Sequence, residues 1–100
     1  MNTTTDMIYI VIKRKDGQQI MKSLSTMMSK ISDHDYCEKA QAAYEEISIH
    51  AWVYPLHFEM TDLSLDLANI MIHALNATKH HDVARRLIAE IAATSEEVAA

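Results

Sequence analysis

The sequence predicts a mainly α fold, with one N-terminal β-strand followed by a compact bundle of about four helices. Three observations predict it. Residues 7–13 are a dense β-branched run, apolar side chains beyond them recur at three- and four-residue steps, and the 100 residues hold one Gly and one Pro. An average chain of this length would hold roughly seven and five. So few turn residues favour long helices with short connections over a turn-rich β fold. An apolar fraction of 49% with 23% charged residues suits a single folded domain over residues 1–100 with a modest core, its ends at 1–5 and 96–100 fraying.

The strand comes first. Ile8, Ile10 and Ile12 alternate with Tyr9, Val11 and Lys13, which is the two-residue period of a pleated surface, and β-branched residues favour it. A lone strand leaves backbone donors and acceptors unpaired. With no second strand evident, its mate is expected from another copy of the chain or from a different protein.

Asp16-Gly17 allows two readings. It is a hairpin signal, with residues 19–22 as the return strand. Asp16 and Gln19 also have capping-box spacing, and Ile20, Leu24, Met27, Met28 and Ile31 then follow a helical stripe. Five stripe positions outweigh one dipeptide, which favours a first helix over about 18–31 with the hairpin as the alternative. Met21 joins Met27 and Met28 in giving that helix a polarizable face suited to core packing or to irregular contacts.

Ser32, Asp33 and Asp35 supply capping oxygens for a second helix. Its stripe is Tyr36, Ala40, Ala43, Tyr44, Ile47 and Ala51, and it runs to about residue 53, where Pro55 stops it. Residues 57–60 read as a connector, with Thr61 or Asp62 capping a third helix over 63–77. Its polar stripe of Asp66, Asn69, His73 and Asn76 is so narrow that this helix should be the most buried element. After a break at 76–79, His81 or Asp82 starts a fourth helix, with Val83, Leu87, Ile88 and Ile91 inward and Arg85, Arg86 and Glu90 in water.

Charge and composition narrow the function. The net charge of −5 divides into +3 over residues 1–30, −7 over 31–70 and −1 over 71–100. Lys13, Arg14 and Lys15 are the only basic cluster, a small footprint that argues against nucleic acid as the partner. Cys37 is the sole cysteine, so neither an intramolecular disulfide nor a Cys-pair metal motif is available, which fits a reducing cytoplasm. The polar N-terminus predicts no secretory leader, and no apolar run reaches the ~18 residues of a membrane span.

Gly17 is the only glycine, which removes Gly-rich phosphate loops, nucleophile elbows and dinucleotide fingerprints. The six histidines show no zinc spacing. His34-Asp35 and His81-Asp82 are His-Asp dipeptides of the kind used by metal-dependent phosphohydrolases, but those need more ligands on longer helices. The expectation is therefore no enzyme, no cofactor and no metal, with a small metal-dependent hydrolase as the most distant alternative.

The order strand, helix, helix at the start of the chain resembles that of ribbon-helix-helix DNA-binding proteins, in element order alone and over about half the chain. The resemblance implies two chains pairing their strands into one ribbon. Tyr9, Val11 and Lys13 would then face the bases and Lys13, Arg14 and Lys15 the phosphates, but Tyr9 and Val11 are poor base readers.

The leading expectation is a small acidic cytoplasmic regulator, adaptor or inhibitor that acts by protein binding as a homodimer, in the style of small bacterial, plasmid and phage proteins. The acidic block of 31–70 would dock a basic surface. Ile8, Ile10 and Ile12 on the strand, the aromatic residues Trp52, Tyr54 and Phe58 around Pro55, and Asp66 and His73 on the third helix are the expected partner-binding residues.

Overall fold

The computed structural model describes residues 7–50 and 57–99. In chain order the elements are β1 (Met7–Lys13), α1 (Arg14–Lys30), α2 (His34–His50), β2 (His57–Ser64), α3 (Leu65–Ala77) and α4 (His81–Ala99). The mainly α class with an N-terminal strand and four helices is as the sequence predicts, among the described residues. The strand, however, is not alone.

β1 pairs antiparallel with β2, so its mate comes from the same chain, two helices further on. Residues 57–60, expected as a connector, begin that second strand. The register sets Ile12 opposite Phe58, Ile10 opposite Met60 and Ile8 opposite Leu63. Between the last two pairs the register shifts by one residue, two positions of β2, 61 and 62, standing against the one position 9 of β1, which is the count of a β-bulge. The bulge explains why β2 escapes a sequence reading: its apolar positions run 58, 60, 63, breaking the two-residue alternation at the extra residue. A ribbon formed within one chain differs from the ribbon-helix-helix arrangement, in which the two strands come from two chains.

β1 passes into α1 without a loop. Lys13 ends the strand and caps the helix in extended conformation, with no side-chain cap bond. Helix therefore begins four residues earlier than expected, and Asp16 lies in the first turn, where a carboxylate suits the positive end of the helix dipole. Gly17 sits inside the helix, so neither the Asp-Gly hairpin nor a return strand at 19–22 forms.

The other helix ends are capped as the chemistry of their side chains allows. The Asp33 carboxylate accepts from the Tyr36 amide at 2.9 Å, starting α2. At the C-terminal end of α1, the Cys37 thiol donates to the Ile31 carbonyl at 3.2 Å. Ser64 Oγ accepts from the Asp66 amide at 3.1 Å; Ser64, rather than Thr61 or Asp62, caps α3 because those two lie within β2 and the helix starts only at Leu65. α4 starts at His81 as expected and continues through 95–99, into the stretch expected to fray.

α3 ends in a Schellman motif: the His80 amide bonds the Leu75 carbonyl at 2.8 Å and the Lys79 amide bonds that of Asn76 at 3.1 Å. The motif puts Lys79 at φ 68°, a left-handed position that glycine normally fills.

The core forms where these elements meet. Ile8, Ile10 and Ile12 lie with Ile20 and Leu24 of α1, Ala43 and Ile47 of α2, Leu63 of β2, Met71 and Leu75 of α3, and Leu87 of α4. The expected apolar stripes of α1 and, through residue 47, of α2 turn inward, as do Ala68, Met71, Ala74 and Leu75 of α3, and α3 packs on α1, α2, α4 and β2. Ile88 departs from expectation at 46% exposure. Val83, Ala84, Leu87 and Ile91 already fill the inner face of α4, and Ile88 lies about 100° round the helix from Leu87.

Substituting Lys79→Gly should stabilise the fold by about 0.5–1 kcal/mol, because glycine takes the left-handed position without the Cβ clash. Thermal unfolding followed by circular dichroism should show Tm rising by a few degrees. An unchanged or lowered Tm would contradict the reading of this turn.

Candidate functional site

Among the described side chains, the residues expected to bind a partner do not share one surface: three are core and two lie on the exposed face of α3. Ile8, Ile10 and Ile12 are buried in the chain's own core, so these three side chains are not available to a partner. The outer edge of β1 lies against α4, whose Glu90 Oε1 accepts from the Val11 amide at 3.4 Å. Trp52 and Tyr54 lie outside the described residues. Phe58 belongs to β2.

The polar stripe of α3 is a solvent face: Asp66, Asn69, His73 and Asn76 are all exposed. Two of the four are engaged within the chain. Tyr36 Oη lies 2.8 Å from His73 Nδ1, with the rings in edge contact at 5.3 Å. Burial pushes the Tyr36 phenol above its ordinary pKa, so the hydroxyl keeps its proton, and the direction of its bond to His73 follows the tautomer of the imidazole. Asn76 Oδ1 meets His81 Nδ1 at 2.8 Å. These contacts tie α3 to α2 and to the start of α4, while the side chains of Asp66 and Asn69 stay exposed on the same face.

Two surfaces stand out by charge. On α2, Asp35, Glu38, Gln41, Glu45 and Ile49 are exposed, and spacings of three and four put them on one face. Gln41 donates to Glu45 at 3.1 Å. The line ends on Ile49, 62% exposed, the most exposed large apolar side chain among the described residues. Lys39 is the only Lys or Arg on this helix.

The second surface is basic and centres on α1, which carries Arg14, Lys15, Lys22 and Lys30 against a single acid, Asp16. Between α1 and the turn joining α3 to α4 is a cleft of about 350 Å³ lined in part by Lys22, Lys30, Lys79 and His80. A neighbouring cleft shares Gln19 and His80 with it and adds Lys13, Lys15, Asp16, Asp82 and Arg86. Of the basic cluster singled out in the sequence, Lys13 and Lys15 therefore line this neighbouring cleft.

Asp16 and Arg86 bind one another closely. Arg86 Nε donates to Asp16 Oδ2 and Nη2 to Oδ1, each at 2.8 Å. This bidentate geometry is the strong form of the pair. The Asp16 side chain is 10% exposed and that of Arg86 53%, so the contact pins α4 across the β1–α1 junction while leaving the guanidinium edge wet. The hydrogen bonds from Arg86, opposed by burial and helped by its charge and those of Lys13 and Lys15, hold the Asp16 carboxyl below the ordinary carboxylate range.

Among the described residues no three His, Cys, Asp or Glu side chains are grouped so as to hold a metal ion. No described helix is long and apolar enough to cross a membrane. No family model matches the chain, and no curated protein or solved structure is significantly similar to it. The functional reading therefore rests on the surfaces themselves.

The Asp16–Arg86 pair makes a signed prediction. Because the folded-state pKa of Asp16 is depressed, its stabilisation is complete above the unfolded value of about 3.9 and is lost as pH falls through the folded one. Asp16→Asn should lower Tm at pH 7 by roughly 5–10 °C, and the gap from the native chain should narrow below about pH 4. A gap that is constant with pH, or widens in acid, would count against the pair.

Proposed function

We propose that this protein is a small non-catalytic regulator that works by binding a basic surface on another protein through the outer face of α2. The observation that carries the reading is the line Asp35, Glu38, Gln41, Glu45 and Ile49, four polar or acidic positions leading to an apolar side chain 62% exposed. Acidic groups at a rim steer and orient a basic partner, and a large apolar residue beside them supplies the desolvated anchor that charge alone lacks. A helix presenting one such face is a common recognition element.

Both the charge block and the protein-binding class follow the sequence expectation, but the partner-facing residues change. The homodimer expectation loses the observation behind it, since β1 finds its mate inside the chain. A protein that binds as a monomer accounts for the same acidic block. Burial of Ile8, Ile10 and Ile12 moves the recognition face from the strand to α2.

A photo-crosslinking amino acid placed at Ile49 tests this in the native host. The expected product is one dominant crosslinked protein with a basic surface, lost when Glu38→Lys and Glu45→Lys are introduced together. Both positions are exposed, so circular dichroism should stay unchanged. Capture that survives the double charge reversal, or no specific product, would contradict the proposal.

A further inference from the structure

The cleft between α1 and the α3–α4 turn is distinct from the α2 face, and its lining is one-signed. Lys22, Thr26 and Lys30 stand at four-residue steps along one line of α1, with Gln19 a turn before them. Lys22 and Lys30 are thus about 12 Å apart along the helix axis. Lys79 and His80 form the facing wall. No Asp or Glu lines this cleft, in a chain of net charge −5. Among the described residues no carboxylate pairs with Lys22, Lys30 or Lys79.

The floor fixes the distance between the walls. Ser23 is 1% exposed, and its hydroxyl lies 2.8 Å from Thr78 Oγ1. Thr78 in turn donates to the Ala74 carbonyl at 2.8 Å, so Ser23 is the donor to Thr78. Gln19 Nε2 donates to Ser23 at 3.2 Å. The chain of bonds runs in one direction from α1 to the end of α3 and consumes both hydroxyl protons. What the cleft has left to offer a ligand is positive charge, from side chains above a rigid polar floor.

Lys79 adds a further point. Its backbone is held left-handed, a conformation costing a Cβ-bearing residue roughly 1–2 kcal/mol. Glycine would serve the turn better, and only a side chain can serve the cleft.

The geometry points to a binding site for a small phosphorylated molecule, with Lys22, Lys30 and Lys79 as the charges that hold its phosphoryl oxygens. Ammonium groups recognise phosphate as point charges without demanding a planar fork. A cleft of about 350 Å³ is in the size range of small-ligand sites. A nucleic-acid backbone fits less well, because it needs cations that continue along a track. In the neighbouring cleft the cations Lys13, Lys15 and Arg86 are interleaved with Asp16 and Asp82, and Arg86 is committed to Asp16, so the unbroken positive lining ends there.

The test is a titration with inorganic pyrophosphate at constant ionic strength, followed by amide chemical shifts of the full-length chain. Saturable shifts centred on Thr26, Thr78, Lys79 and His80 are expected. Lys30→Glu should weaken binding at least tenfold, and Lys39→Glu on α2 should change it less than twofold. Lys79→Gly provides a variant that keeps the fold, and it should weaken binding several-fold while Tm does not fall. Shifts that fail to saturate, equal loss in the Lys39 variant, or an oligonucleotide that binds far more tightly than pyrophosphate at equal phosphate concentration would each overturn the assignment.

Discussion

The pairing of β1 with β2 is the constraint on which the rest of the molecule depends. The two strands are separated by α1 and α2, so the ladder can close only once both helices have folded back beside it. Closing so long a loop costs conformational entropy, and burial repays it. Ile8, Ile10 and Ile12 enter the same core as Ile20, Leu24, Ile47, Met71 and Leu87. α4 then lies along β1 on the side away from β2. A strand that looks exposed in sequence is thus covered on both edges by its own chain.

Polar groups are placed to reinforce that arrangement. Asp16 and Arg86 join the start of α1 to the second turn of α4, Ser23 and Thr78 join α1 to the end of α3, and Tyr36 and His73 join α2 to α3. Each contact links elements distant in sequence, and among the described residues no buried side-chain nitrogen or oxygen is left without a partner. Unmade bonds of this kind would cost more than made ones contribute. The remaining charge is sorted by helix, with α1 basic and α2 acidic. That contrast gives one small domain two surfaces of opposite preference.

The four helices were legible because their stripes obey a single period, over about three turns or more in α1, α2 and α3 and somewhat over two in α4, and the Asp33 cap of α2 is a strong local signal. β2 was not legible because the bulge at Thr61 and Asp62 breaks its alternation, while those same two residues mimic a helix cap. Asp16 misled for a related reason: its spacing to Gln19 is that of a capping box, but its carboxylate is committed to Arg86, 70 residues away. Surfaces fared in the same way. The acidic character of α2 can be read from composition, whereas the exposure of Ile49 depends on how the helix is rotated in the fold. The α1 wall of the basic cleft is a readable wet face, yet its opposite wall arrives from a turn nearly fifty residues on, which no local pattern reveals.

The central claim is that β1 and β2 pair within one chain. Isotope-filtered nuclear Overhauser spectroscopy on a refolded mixture of labelled and unlabelled protein tests it most directly. Cross-strand contacts between Ile10 and Met60 and between Ile12 and Phe58 should appear only within the labelled chain. The same contacts between labelled and unlabelled chains would show that the strand takes its mate from a second copy, and would contradict the account.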